Sequence, residues 1–132
     1  MRERVSTSSP WEDLVGYSRA VRVGDTVHVS GTTAVRDGQV VGAGNPYTQT
    51  RVALEIVIAA LAELGATPAD VVRTRMFVTD ISRWEEYGRA HGEIFRDVRP
   101  AASMLEVSAL IHPDLLVEIE AEAIVGGGAT DP

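Results

Sequence analysis

A short alternating segment near the C-terminus limits the fold of this 132-residue chain more than any other feature. From Val117 to Ala123 the sequence reads VEIEAEA, with apolar and acidic residues at alternate positions. A period of two is typical of a β-strand that has one face in the core and the other face outside it. The acidic residues Glu118, Glu120 and Glu122 therefore share one face of a sheet, and the apolar face needs cover from other elements.

Further strands are predicted along the chain. A hairpin is expected over residues 20–30, where alternate valines surround a Gly24-Asp25 turn. A shorter ribbon over residues 34–41 turns at Asp37-Gly38. The remaining strands are expected over residues 71–79, 103–110 and 115–125.

Two helices are predicted between these strands. The first begins with Asn45 as its cap and Pro46 in its first turn, and it ends before Gly65. The second begins at a capping-box pattern, Ser82 to Glu85, and runs to about Phe95. This order favours an α+β fold with both helices on one face of a mixed sheet. The other face would then be covered by self-association, as in symmetric oligomers.

Composition and charge argue against several classes of protein. The chain has no cysteine, which excludes disulfides and thiolate chemistry and fits a cytoplasmic location. A net charge of -7 without a basic stripe disfavours binding to nucleic acid. The longest apolar run, residues 52–64, is interrupted by Glu55 and Glu63, so no membrane contact is expected. We expect one domain over residues 1–125, followed by a flexible tail over residues 126–132.

The row of carboxylates has two interpretations. Next-but-one residues on a strand lie roughly 6 to 7 Å apart, which is too far to share a proton but near enough for mutual repulsion. The row is therefore either a solvated acidic face or a cluster that raises one pKa and creates a general acid or base. Glu106, on the preceding strand, could join the cluster from across the sheet.

The three histidines do not have the spacing of a metal site. They are His28, His91 and His112. No pair of them is arranged as metal ligands usually are, so neither a metal nor another cofactor is expected. His91 shares a helix face with Trp84 and Tyr87 and is either a packing residue or a catalyst. His28 points outward beside Ser30-Gly31 and is a candidate site residue.

Three blocks of the sequence resemble the RidA or YjgF family, whose members are also described as endoribonuclease L-PSP-like. The first block runs from Gly16-Tyr17 to Ser30-Gly31. The second comprises Thr48–Arg51, Leu64–Ala66 and Asp70–Val72. The third runs from Arg99-Pro100-Ala101 to the segment Val117–Ala121. Because the blocks match the family in order and spacing, the resemblance covers nearly the whole chain.

This resemblance implies a fold, an assembly and a chemistry. Family members have a chorismate-mutase-like protomer and form homotrimers whose ligand clefts lie between subunits. Deaminating members hydrolyse reactive enamines and imines. Carried over to this chain, the resemblance makes Glu118 the residue that helps to activate water. Tyr17 and the backbone of Ser30 and Gly31 would complete the pocket, and an arginine beside Ser103 would bind the substrate carboxylate.

Ala102 stands where the deaminating members have that arginine. A guanidinium binds a carboxylate through charge-assisted hydrogen bonds, each worth roughly 1.5 to 3 kcal/mol. Its loss should cost about 3 kcal/mol of transition-state binding, or on the order of a hundredfold in rate. Arg99 lies roughly 10 Å away along an extended chain, so Arg19, which follows Tyr17, is the better substitute. The chain thus resembles a subgroup that lacks the deaminase arginine.

Two functions remain open from the sequence. The first is deaminase-type hydrolysis of a small imine, enamine or related carbonyl metabolite, with specificity shifted away from 2-imino acids. Weak or absent activity on 2-iminopropanoate is then expected. The second is a trimeric protein without catalysis that binds a metabolite as a scavenger or sensor. The ribonuclease label of the family fits poorly with the charge of -7.

Overall fold

A six-stranded mixed sheet forms the centre of the structure, a computed structural model that describes residues 1–128. In chain order the elements are β1 (Arg2–Val5), β2 (Ala20–Val23), β3 (Thr26–Thr33), β4 (Val35–Arg36), β5 (Gln39–Val40), α1 (Pro46–Glu63), β6 (Val71–Val78), α2 (Trp84–Phe95), β7 (Ala101–Glu106) and β8 (Val117–Ile124). The strand order in the sheet is β1-β2-β3-β8-β6-β7. Strands β6 and β7 pair in parallel, and the other neighbours in this sheet pair antiparallel. Strands β4 and β5 form the separate ribbon.

The core lies between one face of this sheet and the two helices. Strand β8 supplies Val117, Ile119, Ala121 and Ala123 to this core, all of them buried. Helix α1 packs there through buried apolar residues that include Leu54 and Leu61, and α2 contributes Tyr87 and Phe95. The prediction of an α+β fold with two helices on one face of a mixed sheet is therefore confirmed. Neither helix covers the opposite face, which carries the carboxylate row.

The hairpin, the ribbon and the first helix lie where the sequence predicts them. Asp37 and Gly38 turn the ribbon with φ values of 52° and 76°, as a tight two-residue turn requires. The side chain of Asn45 caps α1 by accepting a hydrogen bond from the backbone N–H of Thr48 at 3.0 Å. Helix α1 ends just before Gly65, whose φ of 83° suits a residue that follows a helix.

The start of the second helix differs from its prediction. Residues Ile81–Arg83 form a 3-10 turn, and α2 begins only at Trp84. The 3-10 turn is capped by Asp80, which accepts hydrogen bonds from the backbone N–H of Ser82 at 3.0 Å and from its hydroxyl at 2.5 Å. The predicted capping box at Ser82 is therefore wrong, because the Ser82 hydroxyl is engaged by the preceding carboxylate.

Two N-terminal elements have no counterpart in the sequence predictions. Strand β1 pairs antiparallel with β2, with Val5 opposite Ala20. A turn of π-helix follows at Glu12–Gly16. Within the described residues no helix is long and apolar enough to cross a membrane. Of the predicted tail, Gly128 donates a backbone hydrogen bond to Asp70 at 3.1 Å, and residues 129–132 lie outside the described part of the chain.

Candidate functional site

Glu118 lies directly against the backbone of Gly31. In the sheet it stands between Thr33 of β3 and Phe77 of β6, on the face away from the helices. A methyl group added at Gly31 would lie 2.8 Å from Cδ of Glu118 and would overlap its carboxyl oxygen. The register of β3 against β8 shifts between Val29 and Thr32, so Gly31 lies within a bulge. Bulges of this kind are frequent beside active sites because they redirect the backbone.

The environment of Glu118 favours the protonated form of its carboxyl group. Burial raises the pKa of Glu118 above its ordinary value, and the negative charge of Glu120 raises it further. The guanidinium of Arg19 opposes this rise by favouring the charged carboxylate. A carboxyl with a raised pKa holds its proton more readily than an ordinary carboxylate, which is a property that general acids and bases use.

The other two carboxylates of the row are in ion pairs. Arg75 places Nη1 3.8 Å from Glu120 and 3.8 Å from Glu122. The Nδ1 atom of His28 lies 3.2 Å from Glu122. These side chains line a cavity of about 180 Å³ on the face away from the helices. The three carboxylates of the row therefore differ. Glu118 is desolvated, whereas Glu120 and Glu122 are paired with Arg75, and Glu122 also with His28.

Arg19 is buried next to Glu118 and contacts the predicted pocket residues. Its Nη1 donates to the carbonyl of Gly31 at 2.6 Å and to Thr32 Oγ1 at 3.0 Å. Its Nη2 donates to the hydroxyl of Tyr17 at 3.2 Å. Three of its five N–H groups are thus directed to the chain itself. The guanidinium of Arg19 thus joins Tyr17 to Gly31, the residue against which Glu118 lies.

Ser30 belongs to the same cluster through its backbone and its hydroxyl. Its N–H donates to the carbonyl of Arg19 at 2.9 Å, and its Oγ donates to the carbonyl of Ser18 at 2.6 Å. The carbonyl of Ser30 accepts a hydrogen bond from Thr32 Oγ1 at 2.7 Å. These bonds fix the bulge of β3 against the start of β2.

Ala102 lines a different cavity, between α2 and the strands β6 and β7. This cavity measures about 230 Å³ and is lined by Met76, Gly88, His91, Ala102, Ser103 and Met104. Ser103 accepts a hydrogen bond from Nη2 of Arg73 at 3.1 Å. Within residues 1–128 no arginine lines this cavity, whose lining consists of apolar groups, one hydroxyl and one imidazole.

His91 supplies the imidazole of that cavity. Its Nε2 lies 2.9 Å from Oγ1 of Thr74, which is fully buried. Its ring packs on Phe95 with a centroid distance of 4.7 Å. Burial lowers the pKa of His91, so the ring is neutral at pH 7. His91 therefore both packs against the core and faces the space beside Ala102.

One chain does not bring Glu118 and Ala102 together. Ala102 is paired with Thr74 of β6, whereas Glu118 is paired with Phe77 of the same strand. Thr74 and Phe77 are three positions apart, which is roughly 10 Å along a strand. Because three is an odd number, their side chains, and those of Ala102 and Glu118, lie on opposite faces of the sheet. The strands β7 and β8 also lie on opposite sides of β6.

The comparison with known proteins identifies the family. The family model described as Endoribonuclease L-PSP matches residues 7–125. The chain belongs to this family, which is also called YjgF, RidA or RutC. The chorismate-mutase-like fold expected from the resemblance is confirmed by this match and by the solved structures that follow.

Several relatives cover nearly the whole chain. The crystal structure of Mycobacterium tuberculosis Rv2704, a member of the YjgF/YER057c/UK114 family, is 54% identical, with a TM-score of 0.87 over 95% of this chain and 100% of that chain. An uncharacterised protein of Streptomyces coelicolor is 42% identical over 123 residues, which is 93% of this chain and 92% of that protein. A RutC family protein of Pyrococcus abyssi is 31% identical over 124 residues, which is 92% of this chain and 96% of that protein.

Four further side chains of this RidA family member are not among the described residues that line the Ala102 cavity. Trp11 and Trp84 are exposed by 44% and 57% of their surface. Glu106 accepts a hydrogen bond from the N–H of Ile81 at 3.0 Å and lies at the end of β7. His28 is paired with Glu122, as described above. Within the described part of the chain no group of three histidine or acidic side chains could hold a metal ion.

Two residues near Glu118 escaped the sequence reasoning. Glu12 is 5% exposed and lies with Oε2 3.6 Å from Nε of Arg19. Thr32 is 2% exposed and accepts from the same guanidinium. Neither residue belongs to a recognisable motif, because a π-helical turn brings Glu12 inward and the bulge orients Thr32. The histidine of the Ala102 cavity was noted in the sequence, but its place beside Ala102 depends on how α2 packs on β7.

Proposed function

We propose that this RidA family protein is a hydrolase of the deaminase type that acts on a small imine, enamine or related carbonyl metabolite. The observation that carries the proposal is the desolvated carboxyl of Glu118, set against Gly31 and next to Tyr17 and Arg19. Polar groups with fixed partners surround one carboxyl of raised pKa, as general acid-base catalysis requires.

The reaction can be written with Glu118 as the group that moves protons. The carboxylate removes a proton from water, and the oxygen attacks the carbon of the C=N bond. The nitrogen takes up a proton, and the C–N bond breaks to release ammonia and leave a carbonyl compound. Water supplies the oxygen and the two hydrogens that balance the products. An enamine enters the same sequence after a proton adds to its carbon.

The geometry of one chain supports clefts that are shared between subunits. Glu118 and Ala102 lie on opposite faces of the sheet, so a cleft that contains both must draw them from two chains. The sheet face that carries Glu118 is not covered by the helices. Together with the family resemblance, these features favour a homotrimer with one cleft at each interface. Size-exclusion chromatography with light scattering tests this, and a monomer at micromolar concentration would contradict it.

Ala102 shifts the proposed specificity. A cavity lined by methionines, an alanine and a neutral imidazole has no charge with which to bind a carboxylate. The substrate class that suits this cavity is an uncharged or weakly polar imine instead of a 2-imino acid. Activity on 2-iminopropanoate is expected to be weak or absent.

Ammonia release from freshly generated imines tests the proposal. The purified protein is given 2-iminopropanoate and, in parallel, an uncharged imine of similar size. Turnover of the uncharged imine should fall by a factor on the order of 10² to 10⁴ in Glu118→Gln. Glu122→Gln, on the same strand face, serves as the matched control and should keep its rate. Equal rates in the two variants would contradict the role of Glu118.

A protein that binds a metabolite without turnover is the second candidate. Within residues 1–128 no cation is among the residues that line the Ala102 cavity, which favours this candidate because the family's deaminase clamp would be missing. Calorimetric titration with stable carbonyl analogues distinguishes the two functions. Stoichiometric binding without product, unaffected by Glu118→Gln, would favour this candidate over hydrolysis.

RNA hydrolysis is not part of the proposed function. The net charge of -7 opposes contact with a phosphate backbone. A gel-shift experiment with single-stranded RNA at low salt should therefore show no complex. A cytoplasmic location without membrane contact is proposed on the same compositional grounds as above.

A further inference from the structure

A buried ion pair lies next to the Glu118 carboxyl and is not explained by the proposed chemistry. Glu12 and Arg19 are exposed by only 5% and 6%, and their charged atoms lie 3.6 Å apart. Buried charges are costly unless each is paired and hydrogen-bonded. Apolar residues of similar size would fill the same space at least as favourably. The groups that Glu12 and Arg19 contact therefore indicate the role of the pair.

The Glu12 carboxylate is fixed by the N-terminal segment. Thr7 donates its backbone N–H to Oε1 at 3.0 Å, and its hydroxyl donates to Oε2. Glu12 itself lies in the π-helical turn, whose end is closed by the N–H of Tyr17 on the Glu12 carbonyl at 3.0 Å. The carboxylate is thus held from two sides before it meets Arg19.

The guanidinium of Arg19 connects the fixed Glu12 carboxylate to the residues beside Glu118. It donates to the carbonyl of Gly31 at 2.6 Å and to the hydroxyl of Tyr17 at 3.2 Å. Gly31 is the residue against which the carboxyl of Glu118 lies. A shift of the guanidinium would therefore move the backbone under Glu118 and release the hydroxyl of Tyr17.

We propose that Glu12 and Arg19 form a positioning pair that holds the Gly31 backbone and the Tyr17 hydroxyl in place around the carboxyl of Glu118. Arg19 in this arrangement organises the site, and it does not serve as a clamp for a substrate carboxylate. The consequence for rate rests on the proposed hydrolase function. The positioning itself can be measured without turnover.

The charges around Glu118 make the pair measurable through that carboxyl. Its neighbours on β3 and β6, Thr33 and Phe77, carry no charge. The negative charge of Glu120, on the same strand, raises the pKa of Glu118. The positive charge of Arg19, which precedes β2, lowers it. On this face of β6 the cations are Arg73, which donates to Ser103, and Arg75, which is engaged with Glu120 and Glu122. Arg19 is therefore the cation whose removal Glu118 should sense.

A carbon-13 NMR titration of the Glu118 carboxyl in the full-length protein tests the pair. In Arg19→Gln the pKa of Glu118 should rise above that of the unchanged protein, because the charge of Glu120 is no longer opposed. In Arg19→Lys the charge returns and the pKa should return with it. Arg22→Gln is the matched control, since Arg22 also donates to backbone carbonyls, those of Gly24 at 2.8 Å and Leu64 at 2.7 Å.

A change of opposite sign is expected when the other partner is altered. Glu12→Gln keeps the size of the side chain and removes the negative charge, which leaves the guanidinium unneutralised. The pKa of Glu118 should then fall, and this variant serves if Arg19→Gln does not fold. An unchanged Glu118 pKa in folded Arg19→Gln, or in folded Glu12→Gln, would overturn the proposal.

Turnover separates charge from position. A lysine at residue 19 lacks the planar fork that reaches both Gly31 and Tyr17. Arg19→Lys should therefore restore the pKa of Glu118 yet lose kcat on the order of tenfold to a hundredfold, with KM nearly unchanged. Full restoration of kcat by lysine would reduce Arg19 to a simple charge and contradict its positioning role. If no form of the protein shows turnover, the hydrolase proposal fails, and the carbon-13 chemical shift of the Gly31 carbonyl decides this one: it should move in Arg19→Lys and stay unchanged in Arg22→Gln.

Discussion

The Glu118 cluster and the Ala102 cavity are built in opposite ways. Around Glu118 the polar groups of Tyr17, Arg19 and Ser30 are engaged in hydrogen bonds with the chain itself. The Ala102 cavity is open and largely apolar, with His91 as its titratable group. Under the proposed function, proton transfer and the choice of ligand reside on separate parts of the fold. A change at residue 102 can then alter what is bound without disturbing the chemistry.

Placing a guanidinium in the Ala102 cavity should produce the largest effect. Ala102→Arg is expected to raise kcat/KM for 2-iminopropanoate by on the order of a hundredfold, because two charge-assisted hydrogen bonds contribute about 3 kcal/mol. Ammonia release measures the gain. Ala109→Arg adds the same charge at an exposed position after β7 and should have no such effect. Equal gains in both variants would show that the charge acts nonspecifically.

Gly31→Ala should damage the rigid cluster. The added methyl group would lie 2.8 Å from Cδ of Glu118, so the carboxyl or the bulge must move. Overpacking of this kind costs roughly 1 to 3 kcal/mol. Urea denaturation followed by circular dichroism measures the loss in the free energy of unfolding. A variant as stable as the unchanged protein would show that the cluster can adjust.

Gly88→Ala applies the same substitution to the open cavity and should have the opposite sign. Its methyl group would meet Trp84 at 3.9 Å, an ordinary contact, and Gly88 lies inside α2. Replacing glycine by alanine within a helix stabilises by roughly 0.5 to 1 kcal/mol. The same denaturation experiment should show a gain. A loss in stability would mean that the cavity wall is as tightly packed as the Glu118 cluster.

The pH dependence of stability gives the smallest expected effect. Because the pKa of Glu118 is raised on folding, the folded state binds its proton more tightly than the unfolded state. The contribution of Glu118 to stability is therefore largest below its ordinary value of 4.5 and is lost as the pH rises through the folded pKa. Glu118→Gln should be the more stable protein at pH 7, and its advantage should vanish below pH 4.5. Thermal unfolding across this range measures the difference.

Glu122→Gln sharpens this last comparison because it removes a paired carboxylate from the same strand face. Its contacts with Arg75 and His28 are partly exposed, so their loss should lower stability by no more than about 1 kcal/mol at pH 7. The two variants should thus differ in sign at neutral pH. Stabilisation by Glu122→Gln equal to that of Glu118→Gln would show that simple repulsion within the row dominates.

Local patterns predicted most of the sheet and the first helix. Alternation of valines located β2 and β3, and Asn45-Pro46 located the start of α1, because these signals depend on neighbours in the chain. The start of α2 was misplaced because Ser82 and Asp80 are both good capping residues, and Asp80 caps a 3-10 turn that precedes the helix. Strand β1 was missed because RERV has no alternation of apolar residues and is held by β2.

The site was predictable only in part, for a related reason. The family motifs pointed to Tyr17, Ser30, Gly31 and Glu118, and the structure brings these residues together. The partner of Arg19 was not predictable, since Glu12 turns inward through an irregular helical turn. The contact between Thr74 and His91 joins a strand to the helix that follows it, and no spacing rule connects those two positions. Contacts of this type depend on packing and leave no local pattern.

The parallel pairing of β6 with β7 makes the Ala102 cavity a property of one continuous stretch of chain. Strand β6, helix α2 and strand β7 all lie within residues 71–106 and together supply the whole lining of the cavity. Glu118 and the residues of the hydrogen-bonded cluster beside it, Tyr17, Arg19, Ser30 and Gly31, lie outside that stretch. A chimaera in which residues 71–106 are replaced by those of a relative should therefore acquire the ligand preference of that relative. Glu118, the proposed acid-base group, would stay that of this chain.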